Sequence, residues 1–213
     1  MRQIRDLFSQ VYREKTKNKI FALGIMASPR KGGNSDILLD QALKAISDQE
    51  VIVEKIILND LKIAPCQACD SGLSQAGQCK VNDDFQKIYL KIKKADILIV
   101  SSPVYFGSIS AQLKIMIDRF QCYWQAKYVL KTIQESSVNK KGAFICVQAS
   151  KNREFFDNAC LIVRNFFATI GVQYNQELLC AEMEEKGAVI KQADFLAKAE
   201  KLARQLVLVE DKQ

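Results

Sequence analysis

The chain contains no histidine among its 213 residues. Imidazole is therefore absent as a general base, a proton shuttle and a metal ligand, and any chemistry must rest on other groups or on a cofactor. No apolar run approaches the ~20 residues needed to span a bilayer. The N-terminal Met1-Arg2-Gln3-Ile4-Arg5-Asp6 has no apolar core of a secretion signal. A soluble chain with a cytoplasmic address and no membrane partner is expected. Two common nucleotide signatures are also missing: there is no G-x-G-x-x-G, and the order of Lys and Gly differs from a Walker loop. A dinucleotide pyrophosphate or a triphosphate is thus not the first ligand to consider. Internal repeats, low-complexity tracts and linkers long enough to divide domains are lacking too.

What is present suits one well-buried core, with 48% apolar and 26% charged residues. The seven cysteines are odd in number and mostly scattered through apolar segments, unlike a secreted disulfide framework. Cys146, Cys160 and Cys180 read as reduced core residues. The formal charge of +7 is dispersed, its densest run falling between Arg13 and Lys19, and no nucleic-acid signature accompanies it. The excess reads as solvated surface with attraction for anionic ligands, not as a nucleic-acid interface.

Periodicity alternates between strand and helix. Met1 to Lys19 places Ile4, Leu7, Phe8 and Val11 at helical spacing and reads as an amphipathic extension (1–18) ahead of a domain covering 19–213. Strands are expected at Ile20 to Ala27, Val51 to Leu58, Asp96 to Ser101, Gly142 to Ala149 and Val172 to Cys180. Helices are expected at Ser35 to Ser47, from Asp83 or Asp84 to Lys94, and at Ala111 to Phe120, Glu154 to Ile170 and Glu185 to Val209. Several strands are apolar throughout, which implies a parallel sheet covered on both faces. Right-handed crossovers then lead to an α/β doubly wound fold.

In such a sheet, ligands bind beyond the carboxyl ends of the strands. The loop after the first strand is Ser28-Pro29-Arg30-Lys31-Gly32-Gly33-Asn34-Ser35. Its hydroxyl and amide donors, flexible glycines, cations and following helix start suit a terminal monophosphate. Taken alone, it reads equally as a surface turn with a Ser or Asn cap. After the third strand, Pro103-Val104-Tyr105-Phe106-Gly107-Ser108 offers adjacent aromatics that suit a flat, partly apolar ring. A hydrophobic plug is the plain alternative. Together the two loops suggest one ligand with phosphate at one end and a planar system at the other.

These segments, with Ser110-Ala111-Gln112-Leu113-Lys114 running into Ile117-Asp118-Arg119, resemble the NADPH-dependent FMN reductases of the flavodoxin-like fold, including the iron–sulfur flavoproteins. The resemblance covers about Lys19 to Val209. It implies a five-stranded parallel sheet of order 2-1-3-4-5 that binds FMN, with NAD(P)H as co-substrate. Ser28, Arg30, Lys31, Gly33, Asn34 and Ser35 would hold the phosphate. Pro103, Val104, Tyr105, Phe106, Gly107 and Ser108 would line the isoalloxazine, with Ala149 and Ser150 contributing from the fourth-strand loop. It further implies a homodimer or homotetramer that completes the pocket across subunits, and a small-molecule electron acceptor such as a quinone or a flavin. Hydride transfer to a flavin requires no protein acid or base, so no catalytic side chain is assigned. Asp83, Asp84 and Asp118 read as helix caps or helix residues.

A second segment, Pro65-Cys66-Gln67-Ala68-Cys69 through to Cys79, clusters thiols as an iron–sulfur cluster or zinc requires. Cys66, Cys69 and Cys79 match three of the four ligands of iron–sulfur flavoproteins, but Gly72 stands where the remaining cysteine belongs. Cys122 is a candidate substitute. Reduced thiols without a cluster, a three-thiolate site with an exogenous ligand, and a redox-active Cys66–Cys69 pair stay open. The alternative to a flavin reductase is therefore an electron carrier with FMN plus a cluster. A regulatory module that keeps the fold without catalysis is a third reading. The long connection from Cys122 to Asn139 carries Tyr123, Trp124 and Tyr128, which read as an oligomer interface, a roof over the acceptor pocket, or plain surface packing.

Overall fold

A computed structural model describes residues 19–47, 49–70, 73, 77–133 and 140–208. The N-terminal extension falls outside the described residues. Strand β1 (Phe21–Met26) is buried along its whole length. It is followed by helix α1 (Asn34–Ser47), strand β2 (Ile52–Ile57) and helix α2 (Phe85–Lys94). Strand β3 (Ile97–Tyr105) turns directly into the two-residue β4 (Ser108–Ile109), and helix α3 (Ala111–Asp118) follows. After the short α4 (Gln121–Trp124) come β5 (Lys140–Val147), α5 (Arg153–Ile170), β6 (Val172–Cys180) and α6 (Ala193–Val207).

The sheet order is β2-β1-β3-β5-β6, and every pair along it is parallel. Among the described residues only β4 runs antiparallel, as a hairpin on the end of β3. The five parallel strands therefore have the expected 2-1-3-4-5 order, and the fold is flavodoxin-like. Alternation along each strand divides the core in two. Leu23, Ile25, Leu98, Val100 and Phe144 face α2, α3 and α5, while Ala22, Met26, Ile97, Ile99 and Ile145 face α1 and α6.

Helix ends are closed by named groups. Asn152 caps α5, its side chain accepting from the Glu154 N–H, and Gly171 ends the helix with φ +72°. Lysines stand at C-terminal carbonyls, where the helix dipole favours positive charge. Lys140 donates to Lys93 O at the end of α2 (2.5 Å), Lys127 to Ala168 O in α5 (2.9 Å) and Lys141 to Leu208 O after α6 (2.5 Å).

Three sequence expectations need correction. The third strand does not stop at Ser101 but continues to Tyr105, because Val104 and Tyr105 pair with Ile109 and Ser108. Pro103, Val104 and Tyr105 are thus strand residues and not loop. The last helix starts at Ala193 and not Glu185; Gly187 takes φ +79° and a 3₁₀ turn at Ala188–Lys191 intervenes. The segment after Cys122 is not wholly loop, since α4 leads into a π turn over Gln125–Val129.

Candidate functional site

The loops after β1, β3 and β5 emerge at the same carboxyl edge, because those strands are adjacent and parallel. In the first loop, the buried Ser28 accepts the Arg30 N–H on its hydroxyl (3.1 Å), and Gly33 N–H donates to Arg30 O (3.1 Å). A Cβ on Gly33 would lie 2.9 Å from that same Arg30 carbonyl oxygen, so the turn closes only around a residue with no side chain. Gly32 sits at φ +67°. Helix α1 begins immediately after. The Asp36 and Ile37 N–H groups both reach back to Gly33 O at 3.0 Å, leaving the Asn34 and Ser35 N–H groups with no backbone acceptor among the described residues. Two backbone donors without a backbone acceptor, at the positive end of a helix, are the kind of groups that an anion requires.

Buried carboxylate chemistry lies beneath this loop. Asp36 accepts the Gly32 N–H (2.7 Å) and the Lys55 ammonium (2.5 Å), and Lys55 also reaches Asp40 (2.6 Å). Burial opposes charge on Lys55, but the bonds to Asp36 and Asp40 outweigh it and raise its pKa above the ordinary lysine value. Lys31, named from the sequence as a phosphate ligand, pairs with Asp60 at 2.7 Å on the surface. The Asn34 side chain turns away from the loop: Nδ2 donates to Met183 O (3.2 Å) and Glu185 O (2.8 Å), and Oδ1 accepts the Val189 N–H (3.1 Å). Of Asn34, only the backbone N–H remains for an anion.

A row of serines ties the first and second loops together. Ser101 donates to Ser35 O (2.6 Å), Ser110 to Ala27 O (2.7 Å), and the Ser110 N–H to the Ser102 hydroxyl (3.1 Å). Ser110 also caps α3 by accepting the Leu113 N–H. Ser110 stands in the segment that carries the resemblance, but the positioning role of these serines escaped the sequence reading because their partners lie up to 83 residues away.

At the hairpin tip, Phe106 and Gly107 both have positive φ, 50° and 74°, as a type I′ turn requires. Among the described residues Phe106 is the most exposed large apolar side chain at 109% of its reference area, and Tyr105 beside it is 38% exposed. The tip is held from below, since Asn158 donates to Gly107 O at 2.8 Å and the Phe155 ring packs under Gly107. In the third loop, Ser150 accepts the Asn152 N–H (2.9 Å), and the buried Gln148 donates to Asn152 O (2.9 Å). Gln148 Oε1 is buried without a partner.

The cysteine segment is fastened elsewhere. Arg119, 1% exposed, donates to both oxygens of Asp83 (2.6 and 3.2 Å), to Ala64 O, to Val81 O and to Cys79 Sγ (3.3 Å). Partial desolvation works against ionised Asp83, but the Arg119 bonds and the Ala64 and Phe85 N–H groups hold its carboxyl below the usual range. Cys66, Cys69, Cys79 and Cys122 line one pocket that opens to solvent. Burial pushes the Cys122 thiol up to about 12. Even so, no three His, Cys, Asp or Glu side chains among the described residues stand where they could hold a metal ion.

The sequence from residue 20 to residue 174 matches the family model of the NADPH-dependent FMN reductases. The chain belongs to this family. An iron–sulfur flavoprotein of Methanocaldococcus jannaschii is 38% identical over 130 residues, 61% of this chain and 63% of that protein. One from Methanosarcina thermophila is 35% identical over 129 residues, with the same 61% and 63% coverage. The chain thus spans just under two thirds of the length of these relatives. An NAD(P)H:quinone oxidoreductase structure from Methanothermobacter marburgensis superposes with a TM-score of 0.66, covering 90% of this chain and 99% of that one. At 16% identity, that likeness concerns the fold alone. The family is named for FMN, so FMN is the group against which the site is tested. The residues present fit that group: unpaired N–H donors stand at the start of α1, a glycine turn closes where a Cβ cannot, and an aromatic hairpin shares the sheet edge. Among the described residues, no helix is long and apolar enough to cross a membrane.

Proposed function

We propose that the protein is an NAD(P)H-dependent FMN oxidoreductase that reduces a small acceptor such as a quinone or a free flavin. One observation carries this reading: an anion site at the start of α1 and an exposed aromatic hairpin share one sheet edge in a chain of this family. When bound, FMN supplies the two-electron store between nicotinamide and acceptor. Ser28, Arg30, Lys31, Gly33 and the backbone of Asn34 and Ser35 bind its phosphate. Pro103 to Ser108 orient the ring and shield it from water, with Ala149 and Ser150 at its polar rim. No side chain of this chain is assigned a proton-transfer role. A homodimer or homotetramer is proposed, in which the exposed Trp124 and Tyr128, 40% and 45% accessible, meet a second subunit or roof the acceptor pocket.

Purified protein is expected to be yellow, to hold FMN and to oxidise NADPH or NADH when a quinone is added. Colourless, folded protein that refuses added FMN would overturn the reading. A second reading, an electron carrier with FMN and an iron–sulfur cluster, draws support from the four cysteines around one pocket. Iron and acid-labile sulfide in anaerobically purified protein would favour it, and their absence would leave the first reading standing.

A further inference from the structure

The segment joining β6 to α6 is fixed against the phosphate loop. Met183 and Val189 anchor its two ends, 7% and 0% exposed in the core under α1. Between them, the Asn34 carboxamide makes three hydrogen bonds, to Met183 O, Glu185 O and the Val189 N–H. A donor and an acceptor on one side chain, all satisfied by another segment's backbone, form a structural clamp. It determines where the residues between stand.

The residue so placed is Lys186. It is exposed, and its end overlies Gly32: a Cβ on Gly32 would lie 3.6 Å from Lys186 Cε and 3.9 Å from Nζ. Among the described residues Lys186 makes no ion pair, whereas Lys31 on the loop itself is paired with Asp60. Of the neighbouring acids, Glu182 is engaged with Lys151 at 3.0 Å, and Glu184 and Glu185 are exposed. An unpaired ammonium beside the positive-φ bend of an anion-binding loop adds charge where a phosphate's outer oxygens would lie.

We propose that Lys186 is a phosphate-binding residue contributed by the β6–α6 segment, and that the Asn34 side chain serves this site as its anchor. The inference rests on the FMN reading above and adds to it a residue 154 positions from Gly32 in the chain (186 minus 32). The ligand chemistry is a terminal phosphate monoester. A pre-placed cation gains affinity by reducing the ordering that binding would otherwise require.

The test separates phosphate from ring. The full chain is titrated with FMN and with riboflavin, which lacks the phosphate, by flavin fluorescence. Lys186→Ala is expected to weaken FMN about tenfold while riboflavin stays within about twofold, and Lys186→Arg is expected to retain FMN binding. Lys44→Ala, at the far end of α1, controls for general loss of charge and should move neither. Asn34→Ala introduced into the Lys186→Ala background should add little further loss of FMN preference. The proposal is overturned if Lys186→Ala changes FMN and riboflavin alike or leaves both unchanged. Full additivity of the Asn34→Ala and Lys186→Ala losses would overturn the anchoring role. Wild-type protein that binds FMN no better than riboflavin would instead sink the phosphate site itself.

Discussion

At the residue scale, the decisive groups are those whose partners are backbone. Asp36 is the sharpest case: a carboxylate buried directly under the proposed phosphate loop would repel a phosphate were it not paired. Its side chain is 8% exposed, and Lys55 neutralises it while the Gly32 N–H fixes the bend. Lys55→Met should therefore raise the FMN dissociation constant about tenfold, by leaving that charge uncompensated. Asp36→Asn in the same background should recover most of the loss, since the amide oxygen still accepts the Gly32 N–H. Isothermal titration of the two variants measures this. If the double variant binds FMN no better than Lys55→Met, the charge argument fails and simple loop damage remains.

At the element scale, the β3–β4 hairpin holds the clearest conflict between local preference and fold. A phenylalanine at φ +50° costs of order 1 kcal/mol or more, and it leaves a whole aromatic ring in water. Such strain persists where the ring has another use. Phe106→Asn puts the preferred residue before Gly107 in a type I′ turn and should raise the melting temperature by about 2 °C. The same change should weaken flavin binding or acceptor turnover. A lower melting temperature would refute the strain, and unaltered flavin binding and turnover would refute the ring-binding role. The hairpin also shows what the sequence discloses. Apolar runs at Phe21–Met26 and Ile97–Val100 marked the central strands, because strands buried on both faces have no polar residues to obscure them. The glycine-rich loop and the aromatic pair were visible for the same local reason. Pro103 to Tyr105, by contrast, read as loop, because a proline signals a break and β4 supplies a partner over only two residues. The clamp from Asn34 to residues 183–189 was invisible: its contacts are set by which strands the sheet makes neighbours, and no periodicity encodes that.

At the scale of the whole molecule, the cysteine segment is tied to the folded body by Arg119, the one fully buried cation among the described residues, which joins Ala64, Cys79, Val81 and Asp83. Exposed apolar residues over Trp124, Tyr128, Val129 and Leu130 flank the same region. Trp124→Ala should lower the association state in sedimentation or alter acceptor kinetics; if it does neither, this patch is ordinary surface. The ion pair makes a sharper claim. Arg119 is buried and Asp83 partly so; removing the carboxylate strands the buried guanidinium, so Asp83→Asn should cost about 3 kcal/mol at neutral pH, read from urea unfolding. The pH dependence follows from the direction of the shift. Asp83 ionises below its ordinary value of 3.8 when folded, so its contribution is fully present above that pH and is lost as pH falls through the lowered value. The stability gap between wild type and Asp83→Asn should thus stay constant from neutral pH down to about pH 4 and close below it. A gap that persists unchanged under stronger acid would mean that the carboxyl's shape, and not its charge, holds Arg119 and the cysteine segment in place.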